Sequence, residues 1–233
     1  MPTLPTTAGL SDSRVPLRAT QSVVERLRKN RLVPVIVIDD VERAVPLARA
    51  LEEGGLPCAE ITFRTPGALA ALEKISTECP NVLVGAGTVL TPRQAADAHS
   101  AGAKFVVAPG FGAAMVDYCV EHDVPVFPGI ATPTELELAL SRGLSVMKFF
   151  PAESLGGIAY LKAMSAPYGD IGFLPSGGIG LSNMGGYLAS PRVVACGGSW
   201  MAPADWISAG QFDRVREEVR KSVEAARTVK QEG

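Results

Sequence analysis

The stretch VPVIVIDDVERAVPLARALEEGGLPCAEITF, residues 33–63, decides the fold. Two runs rich in β-branched and apolar residues, VPVIVI (33–38) and CAEITF (58–63), flank an Ala/Leu/Glu-rich amphipathic segment over 41–53. β-Branched runs suit strands, and Ala, Leu and Glu suit helices. A strand, a helix and a second strand in this order form the unit that makes a parallel strand pair.

The same unit recurs along the chain. Further strand candidates are VLVGAG (82–87), FVVAP (105–109), VPVFPGI (124–130), SVMKFF (145–150), IGFLPS (171–176) and VVACGG (193–198). Helix candidates lie between them near 67–77, 92–101, 112–122, 133–142, 156–165 and 182–189, and a longer one near 203–229 closes the chain. Eight strand-then-helix units predict an α/β protein of the (β/α)8 TIM-barrel class. A doubly wound open sheet is the alternative. It would carry a glycine-rich dinucleotide fingerprint after the first strand, and VIDDVERA (37–44) has none. The segment RATQSVVERLRKN (18–30) predicts a helix across the bottom of the barrel. Residues 1–17 read as a flexible Thr/Ser/Pro-rich extension, and 18–233 as one barrel domain with an N-terminal helix and a long C-terminal helix.

Composition narrows the function. The chain has 233 residues, 47% of them hydrophobic, and a net charge of −2. No basic run offers a footprint for a phosphate backbone, so nucleic acid is not expected as a partner. The longest apolar runs are about six residues, against about 20 for a membrane span. The first twenty residues have no apolar core of a secretory signal. Cys58, Cys79, Cys119 and Cys196 are scattered in apolar segments and read as buried free thiols of a cytoplasmic protein. No Asp/Glu/His/Cys cluster has metal-ligand spacing. His99 and His122 fall in helix segments and read as surface or helix-end residues.

A barrel places its chemistry at the C-terminal ends of the strands. In SVMKFF, Val146, Lys148 and Phe150 share one face, while Met147 and Phe149 share the other. A lysine facing the helix layer would have no exit, so Lys148 is expected inside, desolvated but reachable. There it is either half of an ion pair or an amine kept neutral to attack a carbonyl. Lys104, which precedes its strand, is expected at the bottom as a solvated charge. In CAEITF the apolar set Ala59, Ile61 and Phe63 suits the helix layer, which sends Glu60 inward as an ion-pair partner or an acid/base. Arg64 follows at the strand end, where it could hold a carboxylate or stand alone on the surface. Small residues in GAG (85–87) permit close backbone approach, and Thr88 offers a hydroxyl at the mouth or a helix cap. The strands at 171–176 and 193–198 both end in Gly-Gly. Loops after the last two strands commonly form a barrel's phosphate site, with Gly177, Gly178, Gly198 and Ser199 as donors.

The stretches GLPCAEITFRT (55–65), GAGTVLT (85–91), PGIATPTE (128–135), GLSVMKFFPAESLGG (143–157), PSGGI (175–179) and GGSW (197–200) resemble the bacterial 2-keto-3-deoxy-6-phosphogluconate / 4-hydroxy-2-oxoglutarate aldolases. The likeness runs from about residue 20 to about 215. It implies a class I aldolase of the Entner–Doudoroff pathway, a homotrimer with no metal or organic cofactor. By the resemblance, Lys148 is the Schiff-base lysine and Glu60 the proton-transferring acid/base. Arg64 and Thr88 hold the pyruvate carboxylate, Pro109 and Phe150 form pocket walls, and Ser176, Gly177, Gly178, Gly198 and Ser199 cradle the phosphate. Two positions depart from the pattern. Phe63 stands where leucine is common, and Ser176 where threonine is common. Two rivals from other classes use the same barrel: a phosphosugar isomerase, in which Lys148 only pairs with Glu60, and a silent sugar-phosphate-binding protein.

Overall fold

The computed structural model describes residues 18–231; the extension expected at 1–17 lies outside the described residues. The chain opens with helix α1 (Arg18–Asn30) and then alternates strand and helix. The first half runs β1 (Leu32–Ile36), α2 (Ala44–Glu53), β2 (Cys58–Thr62), α3 (Ala68–Glu78), β3 (Leu83–Gly87), α4 (Pro92–Ser100), β4 (Val106–Val107) and α5 (Ala113–Glu121). The second half runs β5 (Val126–Phe127), β6 (Gly129–Ile130), α6 (Pro133–Leu140), β7 (Val146–Phe149), α7 (Gly157–Ser165), β8 (Gly172–Pro175), α8 (Met184–Leu188), β9 (Cys196–Gly198), α9 (Ala204–Ser208) and α10 (Phe212–Thr228). Short 3-10 turns precede α2 at Val41–Arg43 and α7 at Glu153–Leu155.

Every strand pairing is parallel. One sheet has the order β5-β4-β3-β2-β1-β9 and the other β6-β7-β8. Single bridges, Phe173 to Val193 and Ser176 to Gly197, run from the β8 side to the β9 side. The result is a curled, α/β barrel-like sheet with its helices outside. Every strand residue except Val35 is buried, because one side of each strand faces the interior and the other faces helices. Phe149 and Tyr160 stack at 6.1 Å between β7 and α7, and Phe105 and Phe127 meet at 6.0 Å. Phe105, Phe127 and Phe149 are fully buried, and each contributes roughly 1.5–3 kcal/mol.

Helix α1 lies across the N-terminal ends of the strands, as expected. Leu27 is fully buried, and Arg26 Nη2 donates to the Asn81 carbonyl at 2.9 Å, just before β3.

Two element expectations are corrected. The final helix expected over 203–229 is two helices. The break falls at Gly210, which has φ +67, and a Cβ there would lie 2.7 Å from the Arg43 guanidinium. The strand expected over 124–130 is divided at Pro128. Proline has no N–H to donate to a ladder, so β5 pairs with β4 while β6 pairs with β7. The Pro128 carbonyl still accepts from the Lys148 amide at 2.9 Å.

Candidate active site

Strand alternation sends Lys148 and Glu60 into the interior, and there they meet. Lys148 Nζ donates to Glu60 Oε1 at 3.3 Å, with side chains only 8% and 5% exposed. Met147 and Phe149, on the other face of β7, are fully buried against the helix layer. Val33, Phe105, Val107, Leu174, Ser176 and Gly197 wall a cavity of about 10 Å³ around the pair. That is the size of a single water.

The small residues of β3 make this possible. A Cβ at Gly87 would lie 2.3 Å from Glu60 Oε1, and one at Gly85 would lie 2.4 Å from the Phe105 ring. The close approach expected at GAG is therefore made by the protein's own side chains. Glycine at 87 leaves the volume that Glu60 occupies.

At the mouth, Arg64 Nε donates to Thr88 Oγ1 at 3.2 Å. Thr88 has φ +58, a left-handed conformation that costs a non-glycine residue about 1–3 kcal/mol and is often found at functional sites. Nearby, Thr65 Oγ1 donates to the Ile38 carbonyl and ties the loop after β2 to the end of β1. The Phe150 ring stands 5.2 Å from Lys148 Nζ, in cation–π range, and forms a wall beside it. Pro109 is not a wall of the inner cavity. Its carbonyl packs on Gly129, the residue paired with Lys148, and its side chain lines a separate surface pocket with Val89, Leu90 and Phe111.

The glycine loops converge at the same end. Gly177 and Gly178 have φ of +96 and +80, which glycine adopts freely. Ser176 is buried, walls the Lys148–Glu60 cavity, and its Oγ has no hydrogen-bond partner among the described residues. Gly198 is also buried. A Cβ there would lie 1.9 Å from the Trp200 ring, so its small size serves packing. Ser199 is exposed at the end of β9.

Sequence reasoning missed Glu153 and Tyr187. The Ala152 and Glu153 amides donate to the Ser176 and Gly177 carbonyls at 2.8 and 3.0 Å. Tyr187 Oη donates to the Glu153 carboxylate. The Glu153 side chain fills the space beside Gly178, where a Cβ would lie 2.7 Å from Glu153 Cβ. Burial and the bond to Glu153 push the Tyr187 phenol up. These residues brace the glycine loop from behind. The only sequence signal was a carboxylate five residues after the buried lysine.

Among the described residues, no group of three or more His, Cys, Asp or Glu side chains is placed to hold a metal ion. His99 and His122 are exposed, the latter stacked on Tyr118 at 4.1 Å.

The family model for KDPG and KHG aldolase matches residues 23–218. The chain belongs to the KDPG and KHG aldolase family. Among its relatives, a 2-dehydro-3-deoxy-phosphogluconate aldolase of Treponema pallidum is 54% identical over 194 residues, which is 83% of this chain and 92% of that protein. A KHG/KDPG aldolase of Escherichia coli is 44% identical over 196 residues, 84% and 92% of the two chains. A solved structure of the Legionella pneumophila KDPG aldolase matches with a TM-score of 0.82 and 39% identity, covering 84% of this chain and 96% of that one. That enzyme was captured at low pH with pyruvate as a covalent carbinolamine intermediate. A carbinolamine joins a carbonyl carbon to an amine nitrogen. The four free cysteines, Cys58, Cys79, Cys119 and Cys196, are buried, and burial raises the pKa of each thiol. None is in a state to act as a nucleophile near neutral pH.

Proposed function

We propose that this protein is a class I aldolase that cleaves 2-keto-3-deoxy-6-phosphogluconate to pyruvate and glyceraldehyde 3-phosphate. The observation that carries the reading is the Lys148–Glu60 contact at 3.3 Å inside the strand ring, in a chain of this family. The name of the E. coli relative supports 4-hydroxy-2-oxoglutarate, which yields pyruvate and glyoxylate, as a second substrate.

Lys148 passes a proton to Glu60, and the amine so formed attacks the C2 ketone to give a carbinolamine. Glu60 gives its hydroxyl a proton, water leaves, and the iminium forms. A base, Glu60 directly or through water, takes the C4 hydroxyl proton. The C3–C4 bond breaks with its electron pair moving into the iminium, and the aldehyde departs. The enamine takes a proton at C3, and water hydrolyses it to pyruvate and free Lys148. Arg64 and Thr88 fix the pyruvate carboxylate, and Phe150 bounds the pocket. Gly177, Gly178, Gly198 and Ser199 hold the phosphate. Ser176 is assigned to the same cradle by the resemblance, and its partnerless hydroxyl beside Lys148 supports a substrate contact. Positioning and proton transfer are the two physical contributions.

The strand ring reads as a closed (β/α)8 barrel. Two features support closure: the bridges at Phe173–Val193 and Ser176–Gly197, and the short Val126–Ile130 segment that carries β5 and β6 into the two ladders. Residues 18–233 then form one domain, which works as a cytoplasmic homotrimer.

The test is borohydride trapping with pyruvate, followed by peptide mass spectrometry. A reduced pyruvyl adduct on Lys148 is the expected result. Folded protein with no adduct on any lysine, alongside a trapped control aldolase, overturns the mechanism in favour of an isomerase or a binding protein.

A further inference from the structure

At the opposite end of the strands from Lys148, a concavity of about 400 Å³ opens between the end of α1, the turn before β2 and the last turns of α10. Its walls carry Arg26, Lys29, Arg31 and Arg227, with Asn30 and Gly55 between them, and no acidic residue lines it. Elsewhere, Arg43, Lys74, Arg93, Arg142, Arg216 and Arg220 each have a carboxylate within 3.9 Å, while among the described residues Arg49, Arg64, Lys104, Arg192 and Arg214 stand without one. Among the described residues, none of the four cations of this concavity has such a carboxylate partner.

Two of the four are held in place by neutral groups. Arg31 donates to the Ala226, Val229 and Leu188 carbonyls at 2.6, 2.8 and 3.0 Å, and Arg26 donates to the Asn81 carbonyl at 2.9 Å. The three carbonyls that Arg31 meets lie at or near the ends of α10 and α8, where a cation is favourable. They fix the guanidinium groups without neutralising their formal charge. Lys29 and Arg227 are exposed and complete the ring of charge. Helix ends favour Arg31, and also Lys29 and Arg227, which lie in the last turns of α1 and α10. They do not explain why these charges and Arg26 gather around one hollow with no acidic residue in its lining. Like charges so gathered repel one another, and a multivalent anion between them would relieve that repulsion. Guanidinium groups already fixed in place suit phosphate oxygens.

We propose that this basal concavity binds a small organic phosphate carrying two or more negative charges. It is a site separate from the catalytic mouth, and it stands whether or not the aldolase mechanism holds.

Inorganic tripolyphosphate is the probe, titrated calorimetrically into the full chain at low ionic strength. The wild type binds it, and Lys29→Ala/Arg227→Ala weakens binding by at least about tenfold, since two charge-assisted contacts are lost. Arg227→Gln alone gives a smaller weakening, and the charge-conserving Lys29→Arg/Arg227→Lys retains affinity. Cleavage kcat and KM stay at wild-type values in all three variants. Ser199→Asp, which alters the catalytic mouth, leaves this binding in place. No binding to the wild type, unchanged binding in the double Ala variant, or loss of binding in Ser199→Asp alone each overturns the proposal.

Discussion

At the C-terminal ends of the strands, charged and polar side chains find each other. Lys148 meets Glu60 at 3.3 Å, and Arg64 meets Thr88 at 3.2 Å. At the N-terminal ends, Arg26 and Arg31 are bound to backbone carbonyls, while Lys29 and Arg227 face solvent. The upper end keeps a lysine and a glutamate out of water, which costs stability unless the pair stays together. The lower end exposes its charges and gives up little. The candidate catalytic residues are held by side chains inside the curled sheet. Residues that close the base are held by backbone and by packing. Disturbing the upper end should therefore reach turnover first, and disturbing the lower end should reach stability or anion binding without touching turnover.

The largest expected effect is at Lys148. Lys148→Ala removes the proposed nucleophile and should lower kcat by on the order of 10⁴-fold or more. It also strands Glu60 in the interior, at a cost of about 3–5 kcal/mol. Lys148→Met/Glu60→Gln separates the two losses: melting should recover toward wild type while cleavage stays absent. If the double variant regains cleavage, Lys148 is only an ion-pair partner.

Glu60→Gln keeps the shape and removes the proposed proton carrier. Turnover should fall by about 10²–10⁴-fold. Near-wild-type kinetics would assign the acid/base elsewhere.

Gly87→Ala tests the support beneath Glu60. The added Cβ would sit 2.3 Å from Glu60 Oε1, so the carboxylate must move away from Lys148. Overpacking of this kind costs about 1–3 kcal/mol, and kcat should fall more than KM changes. A variant with wild-type melting and turnover would show that Glu60 is not held in one position.

Tyr187→Phe releases Glu153 behind the glycine loop. A loss of about 1–2 kcal/mol in stability is expected, together with a rise in KM for the phosphorylated substrate and little change in kcat. An unchanged KM would confine Tyr187 to packing.

The smallest effect belongs to the foot of β2. Burial pushes the Cys58 thiol from 9.0 up to about 12. Below pH 9 both folded and unfolded chains keep this thiol protonated, so it contributes nothing to pH dependence. Above pH 9 the unfolded chain ionises and the folded one does not, so stability falls by roughly 1.4 kcal/mol per pH unit up to about 12. Melting followed from pH 8 to 10.5 should show a shallower decline in Cys58→Ala than in wild type. Equal slopes would mean that this thiol is not shielded.

The sequence by itself determined the strand-helix alternation, because β-branched runs and Ala/Leu/Glu-rich segments have opposite local preferences. It also determined that Lys148 and Glu60 face inward, because alternation along a strand is local. It could not show that the two meet, since 88 residues separate them and their 3.3 Å contact depends on how the strands curl. The glycines of β3 were legible as places of close approach. Only the packed structure shows that Phe105 and Glu60 fill them. The break at Gly210 and the ladder change at Pro128 were hidden inside patterns that suited a continuous helix and a continuous strand, and long-range packing settled both. Glu153 and Tyr187 were invisible as a pair because their bond joins two separate elements. The four cations at the base lie in two distant stretches of the sequence, 26–31 and 227, and only the meeting of α1 and α10 beneath the strands brings them around one hollow.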